Sequence, residues 1–514
     1  MGIIQKQGIR SSLFIMLGFV IGAINLLVLF PLFFSKNDQG LVRAMIDIGA
    51  TLSIFCTLGT LPVVYKFYPF YNSYVGNSKS ELPFITLIIN LIGFGLLLII
   101  GWQQKDFIIR KLGKSPSLAQ YFGYVYPYTF FLLLFYWLES FAWGLRKTVL
   151  TNFLKETTIR VLTTLLILLF GFNIINLDVF ILLFSFIYLI PVLILLFNLS
   201  STKEWAFKNF KLSNVTRRLK GKMVTFALFV FAGQFFNLLA RTNDTFLIFG
   251  LRGLSDTAIF AIATYVSAIL EIPQRSITSI SIPILAESWK NKDLANIMHI
   301  YKKSVSNLLA VGLLLFGLIW LNVENLVNFL NWVSSSKGNS GGYEQIVQLV
   351  FILGIAKLID LATGVNGQII GTSNYWRFDF FTNLFYIILS LPLNYFLIKN
   401  YGLEGLAYSN LMALTLYNSV RFGFLYKKFK LQPYTWRHLI FVLLSISLML
   451  LTNLLPNNNY ILLNIIIRST FYGVGFLGLA IWINPAPEIL KIFTDFFSAK
   501  KQLLFRKGIG SKNK

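Results

Sequence analysis

The sequence predicts an all-α polytopic membrane protein with about 14 transmembrane helices. Three observations lead there. The chain is 56% hydrophobic and only 13% charged, with 51 phenylalanines among 514 residues. Apolar stretches of about 20 residues recur from end to end, the length that carries an α-helix across a hydrocarbon core of about 30 Å. Within them apolar residues follow one another without alternation, so helices rather than barrel strands satisfy the backbone in lipid.

The first stretch, near 12–34, follows Lys6 and Arg10 as the core of a signal peptide would. It is longer than such a core and lacks a small-x-small cleavage site, so it is read as a retained first span. Spans two to six lie near 42–65, 82–102, 121–144, 150–172 and 178–198, the fifth carrying Glu156 and Arg160. A basic segment, 199–222, holds Lys203, Lys208, Lys211, Arg217, Arg218, Lys220 and Lys222. Six further spans follow near 222–250, 256–283, 304–322, 346–370, 376–398 and 404–426, then two more near 437–455 and 462–483. The largest expected outer loop is 323–345, too short for a soluble domain.

Net charge is +25. With a cytoplasmic N-terminus, lysine and arginine concentrate on the cytoplasmic segments, including Lys500, Lys501, Arg506, Lys507, Lys512 and Lys514 of the tail. That is the positive-inside bias, and it places both termini in the cytoplasm. The clusters read as topology determinants and as attraction to anionic membrane lipid. Nothing beside charge supports a nucleic-acid partner.

An internal echo divides the chain. Asn25-Leu26-Leu27 in span one returns as Asn237-Leu238-Leu239 in span seven, and Pro62 returns as Pro273, at offsets of 212 and 211 residues. An even number of spans separates the echoes, so both halves run in the same direction. The expected organisation is a six-helix bundle at 1–198, a basic cytoplasmic linker at 199–221, a second six-helix bundle at 222–426, two additional helices within 427–483, and a basic tail at 484–514.

Enzyme chemistry finds little support. The single Cys56 lies within a span, and His299 and His438 are the only histidines. No Walker A, DxD or HExxH pattern occurs. The run Gly473-Val474-Gly475-Phe476-Leu477-Gly478 fits GxGxxG but sits inside span fourteen with no preceding strand. Gly18-xxx-Gly22 in span one fits close helix packing. The expectation is a non-enzymatic protein with no catalytic residue, metal or cofactor.

The informative residues are charges inside spans, each costing about 2.5–3.5 kcal/mol at the bilayer centre on insertion scales. They come as opposite-sign neighbours: Arg241 with Asp244, Glu271 with Arg275, Glu156 with Arg160, Lys357 with Asp360. Spacings of three or four residues put each pair on one helix face, where it partly neutralises itself. Structurally, such pairs hold helices together or snorkel to an interface; Glu139 and Arg421, near the cytoplasmic end, read as snorkelling. Functionally, the pairs face a wet cavity. Asn237, Arg241 and Asp244 recur at helical spacing on one face of an otherwise greasy span. Arg241, Arg275, Asn237 and Lys357 are therefore the candidate substrate-binding residues, and Asp244, Glu271 and Asp360 the candidates for ion coupling or charge pairing.

The stretch NLLARTNDTFLIFGLRGLSDTAIFAIATYVSAILEIPQRSITSISIPILAESWKNKD, 237–293, resembles the seventh and eighth spans of bacterial polysaccharide flippases. FCTLGTLPVVYKFYPFYN, 55–72, resembles the end of their second span. These belong to the multidrug/oligosaccharidyl-lipid/polysaccharide exporter superfamily. The resemblance implies two six-helix bundles in a V around a central cavity, plus two extra C-terminal helices, working by alternating access. It implies as cargo a polyprenyl-pyrophosphate-linked oligosaccharide moved to the outer leaflet of the bacterial inner membrane, for O-antigen, lipopolysaccharide or capsule synthesis. A polysaccharide polymerase and a chain-length regulator are the further partners of such a role. Cavity arginines in this family are thought to receive the pyrophosphate; Arg241 and Arg275 fit that position, although each has a carboxylate beside it.

Two other readings stay open. A cation-coupled multidrug antiporter of the same superfamily would favour an acidic cavity in the first bundle, where this chain offers little beyond Asp47 and Glu139. A membrane-embedded polysaccharide polymerase or glycosyltransferase would need a sizeable outer loop carrying acid or base residues.

Overall fold

The structure, a computed structural model, describes residues 3–485 except 76–79, 105, 108–109, 111, 146, 203–211, 337, 339–340 and 457–459. Lys203, Lys208, Lys211 and the basic tail lie outside the described residues, as do the side chains of Asn237 and Arg241. Among the described residues every regular element is helical.

Helix α1 (Ile3–Ile24) loosens into a π turn, Asn25–Leu29, and closes with one regular turn, Phe30–Phe33. Ser35 caps α2 (Lys36–Cys56) by accepting from the Asp38 N–H. The predicted second span is broken: Leu58 and Gly59 take positive φ, and α3 (Thr60–Tyr74) sets off anew. Then come α4 (Leu82–Gln103), the short α5 (Pro116–Tyr121) and α6 (Val125–Gly144). The fifth span is assembled from α7 (Thr148–Asn152), a π turn at Phe153–Thr158 and α8 (Ile159–Gly171). The sixth is α9 (Leu177–Ser185) and α10 (Leu189–Ser200).

The long α11 (Asn214–Leu251) and α12 (Leu254–Ala268) follow, then α13 (Glu271–Lys290) and α14 (Leu294–Ser335). Helix α14 runs well into the expected outer loop 323–345. Next are α15 (Gln345–Ala362), the short α16 (Asn366–Thr372) and α17 (Trp376–Phe429), whose two arms meet at Gly402 (φ 65°, ψ −146°). The additional pair is α18 (Trp436–Asn453) and α19 (Ile461–Ile483).

All fourteen predicted spans fall on helix. Nine helices among the described residues are long and apolar enough to cross a membrane, or ten if the bent pair Leu254–Ala268 and Glu271–Lys290 counts as one. The others differ for identifiable reasons. Trp376–Phe429 counts once but has two arms; the fifth span is cut by its π turn. Helix α6 is rich in tyrosine and tryptophan, whose polar tips lower its hydropathy, and α11 contains the undescribed side chains.

By contact the chain divides into two compact units. One is Met1–Ile262 with Leu330–Gly342, the other Ala263–Phe329 with Tyr343–Lys514. Helix α11 opens the second half by sequence but packs within the first unit, where Thr245 donates to Asp47 of α2 at 2.7 Å.

Aromatic packing fills the first unit. Phe34 stacks on Phe170 at 4.2 Å, and Phe180 and Tyr128 both stack on Phe184. Lipid tails are as apolar as these rings, so close packing and interhelical hydrogen bonds do the joining. Gly18 shows this: a Cβ there would lie 2.2 Å from the Glu156 carbonyl oxygen, so only glycine lets α1 approach the π turn. Asn25 then donates to the Arg160 carbonyl at 3.0 Å and accepts from Thr164 at 2.7 Å.

The start of α11 is anchored by Glu81. One oxygen of Glu81, just ahead of α4, accepts from the Ser213 N–H (2.8 Å), the Ser213 hydroxyl (2.6 Å) and the Thr216 hydroxyl (2.5 Å). Glu81 is 1% exposed. Burial works against its charge, but those donors outweigh burial and hold its carboxyl below the usual glutamate range.

In the second unit, α19 docks on α14. Tyr472 donates to the Leu313 carbonyl (2.9 Å), Arg468 to the Leu321 carbonyl (3.1 Å), and Asn322 to Ser469 (3.1 Å). A buried arginine in the last span was not anticipated from sequence; its signal was the i,i+4 pair Asn464 and Arg468 in an apolar run.

Candidate functional site

The second unit carries a continuous polar seam through its spans. It begins at the first turn of α13. Glu271 accepts from Arg275 of its own helix at 3.0 Å and from Lys357 of α15 at 2.5 Å. Arg275 is the open end, with its side chain 76% exposed.

Lys357 thus departs from expectation. It crosses to Glu271 instead of pairing with Asp360 three residues along its own helix. Asp360 is held by amides: Gln274 donates to one oxygen and Asn418 to the other, both at 2.9 Å. The Asn418 carbonyl oxygen in turn accepts from Thr363 and Asn366, each at 3.0 Å.

A helix break makes this cage. Gly364, at φ 62°, separates α15 from α16. The freed groups find partners: the Thr363 hydroxyl bonds the Asp360 carbonyl (2.8 Å), and the Val365 N–H reaches Ser304 (3.3 Å). Interrupted helices of this kind are tolerated in membranes where the freed backbone is satisfied within the protein.

One turn beyond Asn418, Arg421 ends the seam. It pairs with Asp379, donates to Thr382 at 3.2 Å, and lies 4.1 Å from the Tyr417 ring centroid. Tyr417 donates to Asn383 at 2.8 Å. Gly367 opens the niche, since a Cβ there would sit 2.4 Å from an Arg421 nitrogen. Arg421 is 7% exposed, so the snorkelling expected of it is corrected: Asp379 and Thr382 hold it inside. Glu139 is corrected likewise, being 5% exposed and paired with Lys155 at 3.5 Å.

The seam joins three basic groups, Arg275, Lys357 and Arg421, with three carboxylates, Glu271, Asp360 and Asp379. Four of the seven candidates read from sequence meet here: Arg275, Lys357, Glu271 and Asp360. Asp244 lies on α11 in the other unit, half-buried and partnered. The Glu156–Arg160 pair also forms, at 3.0 Å in the first unit. Sequence reasoning passed over Gln274, Asp379 and Asn418; none has an opposite-sign charge three or four residues away on its own helix, the signal that marked the others. In the first unit Asp47 is buried and pairs with Arg43 at 2.9 Å. Among the described residues no group of three or more His, Cys, Asp or Glu is placed to hold a metal ion.

The fold is similar to that of solved multi-pass membrane proteins. Three solved structures make the likeness specific. "Lipid II flippase MurJ, inward closed conformation" superposes with a TM-score of 0.66 at 14% identity, covering 93% of this chain and 98% of that one. A multidrug resistance MATE family transporter of the MOP superfamily, in its inward-facing conformation, gives 0.63 at 12% identity, covering 82% and 99%. MATE in complex with MaL6 gives 0.56 at 13% identity, covering 83% and 96%. No protein-family model and no curated protein matches the sequence.

Proposed function

We propose that the chain is a flippase. It moves a polyprenyl-pyrophosphate-linked oligosaccharide from the cytoplasmic to the outer leaflet by alternating access, supplying surface polysaccharide synthesis. It acts without enzymatic chemistry, in the bacterial inner membrane with both termini cytoplasmic, where a polysaccharide polymerase and a chain-length regulator would take up its product. The observation that carries this reading is the ionic seam of α13, α15 and α17, open at Arg275, within a fold similar to that of a lipid II flippase over 93% of the chain. The cargo headgroup is anionic and polar, and needs fixed donors to cross lipid. Arg275, Lys357, Arg241 and Asn237 would receive it. Moving negative charge outward is favoured by an inside-negative potential by about 2.3 kcal/mol per charge per 100 mV, so coupling through Asp244, Glu271 or Asp360 is not required.

The test is depletion of the protein in its host, with lipid-linked oligosaccharide assayed on each leaflet. Accumulation on the cytoplasmic face supports the reading, as does loss of flipping by correctly inserted R241A and R275A variants. Normal surface polysaccharide in those strains overturns it. One observation favours a second reading, a cation-coupled multidrug antiporter: Asp360 is a carboxylate held by amides with no ion pair among the described residues. Cation-driven efflux of a cationic dye from proteoliposomes would establish that reading instead.

A further inference from the structure

A second feature lies in the first unit. An open cavity of about 540 Å³ is lined by Gly221, Lys222, Thr225, Phe226 and Val230 of α11, within the size range of small-molecule sites. Its chemistry is graded along the helix. Lys222 stands at one end with Arg217, Arg218 and Lys220 just below it on the same helix. Thr225, Phe226 and Val230 lie successively further into the span, about 12 Å from Lys222 to Val230 at the helical rise. From α3, Lys66 places its ammonium 3.5 Å from the centroid of the Phe226 ring. That contact fixes a second cation on the apolar wall.

We propose that this cavity binds an anionic phospholipid of the leaflet to which the basic residues assign it, the cytoplasmic one. The phosphate sits between Lys66 and Lys222, and an acyl chain runs along Phe226 and Val230. Charge complementarity and the polar-to-apolar order along α11 select a charged amphiphile over a soluble anion, which would gain nothing from the deeper wall. The occupant is a resident membrane lipid and not the cargo, so the inference stands apart from the function proposed above.

The experiment is native mass spectrometry of the full-length protein, purified without cargo and titrated with phosphatidylglycerol or phosphatidylcholine. Two lysines near a phosphate contribute about 1 kcal/mol each, so K66Q/K222Q should weaken phosphatidylglycerol retention roughly 30-fold. K222Q alone, at an exposed position, should show an intermediate loss and guards against a misfolded double variant. K290Q/K292Q, which alters basic residues elsewhere, should change nothing. The proposal is overturned by unchanged retention in K66Q/K222Q, by an equal loss in K290Q/K292Q, or by equal retention of phosphatidylcholine. Displacement of phosphatidylglycerol by equimolar polyprenyl pyrophosphate also overturns it, assigning the cavity to cargo.

Discussion

Lys357 and Glu271 join α15 to α13 through an ion pair of 2.5 Å, although Asp360 lies three residues from Lys357 on its own helix. The pair fastens one helix to another rather than closing on itself. Removing Lys357 leaves Glu271 with only its exposed partner Arg275. In membranes such interactions average about 0.6 kcal/mol and reach about 1.7, so K357M should destabilise the protein by roughly 1 kcal/mol. The E271Q/K357M double variant should recover most of that loss, because neither charge is left stranded. Thermal unfolding in detergent measures the cycle.

Arg421 depends on a space that only glycine leaves. A Cβ at Gly367 would meet its guanidinium at 2.4 Å. G367A should cost about 1–3 kcal/mol by overpacking. R421K keeps the charge but loses the planar fork that serves Asp379 and Thr382 together. Its loss should also lie at about 1.5–3 kcal/mol, the range for charged hydrogen bonds. Both variants should lower the unfolding midpoint without changing the assembled helix content, as read by circular dichroism.

Glu81 gives the fold an acid limit. Its carboxyl titrates below the usual range in the folded protein, so the folded state favours the charged form. The resulting stabilisation is fully present above the unfolded glutamate pKa and fades as pH falls through the lower, folded value. Hydrogen exchange of the Ser213 and Thr216 amides should therefore quicken below the ordinary glutamate range. In E81Q the protection should be weaker at neutral pH and flat through that window.

Asp360 separates the two functional readings. D360N keeps an acceptor for one amide but removes the charge. If transport is driven by potential alone, flipping in proteoliposomes should persist within a few-fold at a fixed potential. If a cation is coupled there, dependence of transport on that cation should vanish. The two outcomes are read from initial rates with and without an imposed ion gradient.

Much of the fold was legible because bilayer thickness is a hard constraint. About twenty apolar residues in a row leave the backbone few alternatives, and each predicted span is helical. Breaks within spans were not legible. The turn at Leu58–Gly59 and the interruption at Gly364 lie inside predicted spans, where glycine and threonine are tolerated in a continuing membrane helix as well as in a broken one. The site was half legible. Opposite-sign neighbours announced Glu271, Arg275, Lys357 and Asp360, but spacing fixes only a shared helix face. That Lys357 reaches another helix, and that Asp360 is held by Gln274 and Asn418, depends on tertiary neighbours. Glu139 and Arg421 misled for the same reason, since nearness to a span end invites snorkelling unless a partner inside is known.

The two π turns, Asn25–Leu29 and Phe153–Thr158, each fit one residue more into a turn than a regular helix does. Every side chain beyond such a turn is rotated by about 100° from where an unbroken helix would carry it. Deleting one residue from either turn should therefore be accepted by the backbone, yet swing Asn25 away from Thr164 and the Arg160 carbonyl. The length of these segments, more than their composition, sets the azimuth at which the two spans meet.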